Sequence, residues 1–281
     1  MSYVHRVSPT WYKKPMIPNY ISLSFGQVAS AGSLIFLSGL LGLYLRLKIT
    51  KSIYIAGLRT AFQLFGMGFL LQWIFKTQSL VLVLAMMVAM TGVAAWTSTE
   101  RSARPFPGIF FNSVLGIGLS SWVLLTFAST LIFRISTWSD PQYVIPLLGM
   151  ILGNSLNGIS LAVERFTEEL FSKRDQVEAD LCLGATSWEA ARPSFITAIR
   201  TGTLPIINSM TVAGVVSLPG MMTGQLLAGV NPLEAVKYQI VIMFLIATST
   251  LLGTLIVALL GYRKLFNSWH QFEYWKVGQK S

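Results

Sequence analysis

Six stretches of this 281-residue chain contain no Asp, Glu, Lys or Arg: those between Lys14 and Arg46, Lys76 and Glu100, Arg104 and Arg134, Asp140 and Glu164, Arg200 and Glu234, and Lys237 and Arg263. A helix needs about 20 apolar residues, at ~1.5 Å rise each, to cross the hydrocarbon core of a bilayer, and every stretch is long enough. A seventh apolar segment, 52–75, carries one charge, Arg59. Only 11% of the chain is charged and 53% is hydrophobic, whereas roughly a quarter of a soluble domain is charged. The chain reads as membrane protein throughout.

Lipid-exposed segments must satisfy their own backbone hydrogen bonds, so the spans are helices. The expected fold is all-α and polytopic, about seven transmembrane helices over 21–45, 52–75, 79–98, 109–133, 142–166, 196–217 and 235–262, forming one permease domain over 1–281. The connections alternate in basic content. One side holds Arg46, Lys48, Lys51, Arg101, Arg104, Lys173, Arg174, Arg192, Arg263, Lys264, Lys276 and Lys280; the other holds Arg6, Lys13, Lys14, Lys76, Arg134 and Lys237. Twelve against six places the first set in the cytoplasm, with the N-terminus outside and the tail 263–281 inside, although the basic N-tail runs against this. Residues 1–18 have no compact apolar run before a small-residue cleavage site, so they read as an extramembrane tail and not a cleaved signal.

The net charge of +10 does not make a nucleic-acid binder, because the basic residues sit beside apolar spans and no soluble module carries them. A lone cysteine, Cys182, allows neither an internal disulfide nor a thiolate cluster.

Between the fifth and sixth spans the charge returns, in segment 173–193. Asp175 with Glu178 has an acidic capping-box spacing, Val177, Leu181 and Ala185 follow at helical intervals, Gly184 is placed to end a helix, and Thr186 with Glu189 repeats the box. The spacing predicts two short helices at an angle, with a narrow apolar stripe. Such an elbow either lies on lipid headgroups or meets a soluble partner. After the sixth span, 217–233 contains glycines and prolines but no charge, which suggests a re-entrant or broken stretch, or a plain extracellular connection.

Glu178-Ala179-Asp180-Leu181-Cys182-Leu183-Gly184-Ala185-Thr186 resembles the EAA loop of ATP-binding-cassette (ABC) permeases, although Asp180 stands where a second alanine is usual and no proline follows Gly184 at the usual distance. The runs Ile145-Pro146-Leu147-Leu148-Gly149-Met150-Ile151-Leu152-Gly153-Asn154, Ser217-Leu218-Pro219-Gly220-Met221-Met222-Thr223-Gly224-Gln225, Lys237-Tyr238-Gln239 and Tyr262-Arg263-Lys264-Leu265-Phe266-Asn267 are together similar to the FetB-type permease family. That family includes a bacterial protein ascribed to iron export and plant proteins of aluminium tolerance. The resemblance runs from about Leu41 to Asn267. It implies an ABC-type permease subunit, an exporter in metal homeostasis, coupled to a separately encoded ATPase that docks on Asp175, Glu178, Ala179, Leu181, Gly184, Ala185, Thr186 and Glu189. A plant relative is associated with nucleotide-sugar transport, so the substrate does not follow from the fold.

No Gly-x-x-x-x-Gly-Lys-Ser/Thr loop occurs, so ATP and Mg belong to the partner subunit and no cofactor is expected on this chain. One elbow per chain and two-ATPase logic imply a second copy of the chain in a symmetric dimer, with Gly149-x-x-x-Gly153 and Gly220-x-x-x-Gly224 as candidate close-approach motifs. Candidate path residues are Arg59 with Gln63 one turn on, Asn154 with Asn157, Asn208 with Thr211, and the thioethers Met221 and Met222 followed by Gln225. Each also has a plain reading: Arg59 as a snorkelling anchor, the amides as interhelical glue, the methionines as packing. No midplane carboxylate or histidine lines the spans, so either iron crosses with a ligand attached or the path is a weak one of amides, hydroxyls and thioethers. The same lack counts against a secondary transporter, and no triad, metal cluster or carboxylate pair suggests an enzyme. The expected home is a bacterial inner membrane or a plasma membrane.

Overall fold

The computed structural model describes residues 23–47, 49–77, 79–102, 104–133 and 140–278; the expected N-tail 1–18 lies outside them. Nine α-helices appear in this range: α1 Phe25–Tyr44, α2 Thr50–Thr77, α3 Leu80–Glu100, α4 Ile109–Phe127, α5 Pro141–Ser172, α6 Arg174–Cys182, α7 Ser187–Val212, α8 Gly220–Leu227 and α9 Pro232–Leu265. A π-turn, Ala128–Ile132, prolongs α4, and a 3₁₀ turn, Tyr274–Lys276, lies in the tail. Among the described residues there is no strand, only two isolated bridges. The all-α membrane architecture read from the sequence is the one observed.

The span count changes. Six described helices, α1, α2, α3, α4 with its π-turn, α5 and α9, are long and apolar enough to cross a membrane. The expected sixth span, 196–217, does not form as a separate element. Its residues belong to α7, which begins at Ser187, carries Glu189, Arg192 and Arg200, and stops at Val212. Pro193 and Pro205 sit inside α7, each costing one backbone hydrogen bond, and both are exposed. A small-residue face, Ala190, Ala191, Ser194, Ala198 and Gly202, is buried across Pro193 and packs the helix against α5. The stretch 217–233 is interrupted by a short helix. It contains α8, closed by Gly229 at φ +81° with Val230 N–H donating to Gln225 O at 3.0 Å.

Contacts divide the chain into two compact units, 1–66 with 218–239, and 67–217 with 240–281. In the first, α1 starts with a Ser24–Gln27 capping box and lies against α2 where Gly39 makes room for the Tyr54 ring; the Tyr54 hydroxyl donates to Phe36 O at 3.0 Å. In the second, α5 is the most buried of the six apolar helices and packs against α3, α4 and α7. The approaches are close because the residues are small: a Cβ at Gly158 would lie 2.6 Å from Gly202 O. Ser249 of α9 is buried and bonds Ser155 of α5 at 2.9 Å and Ser120 of α4 at 3.3 Å, joining three helices where lipid offers no competing partner. The candidate Gly149/Gly153 and Gly220/Gly224 pairs bring no helices of this chain together among the described residues. A Cβ on Gly153, Gly220 or Gly224 would meet nothing within 4 Å, and one on Gly149 only the Met90 side chain.

Candidate coupling elbow and polar translocation face

Helices α6 and α7 form the elbow. Its first half differs from the sequence reading: α6 starts at Arg174, one residue early, with Lys173 as an N-cap whose side chain makes no capping bond. Asp175 and Glu178 therefore form no capping box. Glu178 instead accepts from Arg174 Nε at 2.7 Å, an i,i+4 pair, and this hydrogen bond, with the carboxylate charge, raises the guanidinium pKa further. The turn matches the sequence reading. Gly184 has φ +95°, and Gly184 N–H donates to Leu181 O at 3.1 Å while Ala185 N–H donates to Asp180 O at 3.0 Å, the pair of bonds of a Schellman motif. Any residue can supply the Asp180 carbonyl, so its departure from alanine costs the turn nothing. Thr186 and Glu189 form the expected capping box. Glu189 Oε2 accepts from Thr186 N at 2.8 Å and Thr186 Oγ1 at 2.7 Å, and these bonds hold the carboxyl below its ordinary range.

Only Val177 of α6 is buried. Leu183, at the turn, is 86% exposed. Asp175, Ala179, Cys182, Gly184, Thr186 and Glu189 are exposed as well, with Leu181 and Ala185 half-buried. The elbow is thus a stiffly capped projection with an apolar tip.

Above the elbow, α5 turns an unusual face outward. Gly153, Asn154, Asn157, Leu161 and Glu164 are exposed and lie on one side of the helix, while its Val and Ile positions and all its leucines but Leu156 and Leu161 are buried. A helix surrounded by lipid shows the reverse pattern. Asn154 Nδ2 donates to Met150 O at 2.8 Å, leaving its carbonyl oxygen outward, and Asn157 Oδ1 accepts from Arg101 Nη1 at 2.8 Å. Arg101, missed as a path candidate because it follows α3 by one residue in a connection, reaches this face only in the tertiary structure. On α7, Asn208 and Thr211 are exposed and Thr211 Oγ1 is spent on Ile207 O at 2.9 Å. Below the face, Arg104 binds Glu168 at 2.6 Å and covers the Phe171 ring, and buried Glu169 sits between Arg165 and Lys173.

The first unit holds the other candidates. Arg59 and Gln63 are both exposed on α2, and Arg59 has no hydrogen bond or ion pair among the described residues. Met221 and Met222 of α8 are half-buried. Gln225 Oε1 and Gln239 Oε1 are buried with no hydrogen-bond partner among the described residues. Among the described residues no three His, Cys, Asp or Glu side chains converge as a metal cage.

Comparison with known proteins gives a consistent picture. The chain is 40% identical over 225 residues to a UPF0014 membrane protein of Synechocystis sp., covering 80% of this chain and 87% of that one. It is 34% identical over 229 residues to the probable iron export permease protein FetB of Escherichia coli, covering 80% and 86%, and 26% identical over 215 residues to the protein ALUMINUM SENSITIVE 3 of Arabidopsis thaliana, covering 76% and 77%. No solved structure matches significantly. The family model described as uncharacterised protein family UPF0014 matches residues 25–266, and the chain, an integral membrane protein with several apolar helices and permease relatives, belongs to that family.

Proposed function

We propose that this chain is the membrane subunit of an ATP-driven exporter in metal homeostasis, working with a separate cytoplasmic ABC ATPase and a second copy of itself. The observation that carries the reading is the elbow. A nine-residue helix that buries one side chain and ends in an 86% exposed leucine gains nothing for the fold by projecting, but it suits a cleft in a soluble partner. The Schellman turn and capping box make the projection rigid enough to transmit closure of that partner into α5 and α7, to which it is joined. On this reading the elbow and the C-terminus are cytoplasmic.

The outward amide face of α5 then borders the path. A second copy across a two-fold axis shields Asn154 and Asn157 from lipid and encloses a wet passage, and the closely packed α3–α4–α5–α7 bundle moves as a body to open it to either side. Metal cargo is supported by the similarity to the probable iron export permease of Escherichia coli. The lack of a multidentate cage among the described residues favours, as a second reading, a ligated metal or an organic cargo such as a nucleotide sugar.

The deciding experiment is co-purification with the partner ATPase. The wild-type chain retains it, and Gly184→Pro combined with Glu178→Lys loses it while still inserting in membranes, because proline cannot take φ +95° and lysine repels Arg174. Retention by the double variant overturns the elbow assignment. For cargo, ATP-dependent uptake of labelled iron into inverted vesicles is expected; equal accumulation with and without ATP removes iron.

A further inference from the structure

The α6 half of the elbow has little packing of its own, with Val177 its one buried residue. Residues 266–278 return from the end of α9 and fasten both helices of the elbow. At the start of α7, His270 Nδ1 accepts from Ser187 N–H at 3.1 Å and lies 2.9 Å from Ser187 Oγ, which also bonds the Tyr262 hydroxyl at 2.8 Å. At the start of α6, the Tyr274 ring centre is 3.4 Å from the Arg174 guanidinium carbon, with Glu178 bound to the same guanidinium. Beyond them, Gly278 N–H donates to Pro105 O at 2.8 Å, tying the segment to the connection between α3 and α4.

The segment is built for the purpose. Asn267 Oδ1 accepts from the N–H groups of Trp269 at 3.0 Å and Gln271 at 2.9 Å, a tight turn that puts His270 in the left-handed region at φ +57°. A non-glycine residue resists that conformation, and here it delivers the imidazole to the α7 N-terminus. Phe266 and Phe272, both buried, stack at 5.2 Å and anchor the return.

We propose that this C-terminal strap is a positioning element for the elbow: His270 and Tyr274 hold α7 and α6 in one fixed pose and connect them to α9 and to the α3–α4 connection, so that a push on the tip moves the bundle and does not merely turn α6. Short isolated helices are marginal, and α6 has little burial to resist rotation, so its pose depends on the Arg174 fastening. The transport consequence rests on the proposed function; the mechanical one does not.

Cys182, the lone cysteine and exposed at the elbow, allows the two to be separated. A nitroxide on Cys182 reports elbow mobility in the full chain in proteoliposomes, and the ratio of cargo moved to ATP hydrolysed, measured with the ATPase present, reports coupling. His270→Ala and Tyr274→Leu are expected to speed label motion several-fold and lower the coupling ratio about tenfold while the ATPase still binds. His270→Asn, whose Oδ1 can stand in for Nδ1 and whose backbone tolerates the left-handed region, and Tyr274→Phe, which keeps the ring, are expected to behave as wild type. Unchanged label motion in both disruptive variants overturns the strap, as does faster motion with an unchanged coupling ratio. Failure of the wild-type chain to bind the ATPase overturns the proposed function instead, and the label then decides the strap alone.

Discussion

Gly184 offers a clean test of the elbow, because only its backbone is at stake. Its φ is +95°, and a Cβ built there would meet nothing within 4 Å, so a substitution changes conformational energy without changing packing. A left-handed conformation costs an L-residue roughly 1–2 kcal/mol, which lowers the fraction of chains with a formed Schellman turn about 5- to 30-fold relative to glycine. Asparagine bears less of that cost than alanine, and a β-branched residue bears more. The expected order of elbow order, read as Cys182 label immobilisation, is Gly, Asn, Ala, Val, and the proposed ATPase affinity follows the same order with about a tenfold loss at Ala. Thermal stability of the membrane bundle stays constant across the series, since Gly184 touches none of it. Alanine behaving like glycine, or asparagine worse than alanine, would refute the argument that the turn dihedral sets the elbow.

Gly202→Ala places a methyl group 2.6 Å from Gly158 O and 2.8 Å from the Ala162 side chain, neighbours that cannot swing aside; we expect about 1–3 kcal/mol of destabilisation and a lower unfolding temperature in detergent, whereas Gly153→Ala, facing open space, leaves it unchanged or raises it. The Glu189 pKa is lowered in the folded chain, so its capping contribution is complete above the ordinary carboxylate range and lost as pH falls through the depressed value. In the His270→Asn chain, which has no imidazole at the α7 N-terminus, label motion at Cys182 therefore stays constant until the pH falls below the ordinary carboxylate range and rises only there, and adding Glu189→Gln abolishes that acid rise. Asn157→Leu removes the partner of Arg101 from an exposed position: on a wet path, transport falls while the unfolding temperature holds, but on a lipid-facing surface transport is unchanged and stability rises.

The sequence reading of the elbow succeeded where interactions are local. Thr186 and Glu189 are three residues apart and find each other within one turn, and Gly184 is needed wherever a chain must turn left-handed. It missed at Glu178, where Arg174 four residues back competes for the carboxylate and wins, because an i,i+4 ion pair outbids a weak acidic cap. It also separates the second elbow helix from the span 196–217, since charge ends at Arg200, whereas one helix, Ser187–Val212, contains both.

What the sequence determined alone is the solvent and the element type. Uncharged stretches of span length require lipid, and lipid requires that each backbone pair with itself, so membrane helices follow without knowledge of any contact. What only the tertiary structure decided is which faces are free. Asn154 and Asn157 look alike in sequence whether they join helices or line a path; only packing of the apolar positions against α3, α4 and α7 shows the amides turned outward. Arg101 reaches Asn157 across 56 residues, and His270 reaches Ser187 across 83. No periodicity encodes such pairings, because they depend on where separate helices end in space, and that is set by small-residue contacts such as Gly158 on Gly202.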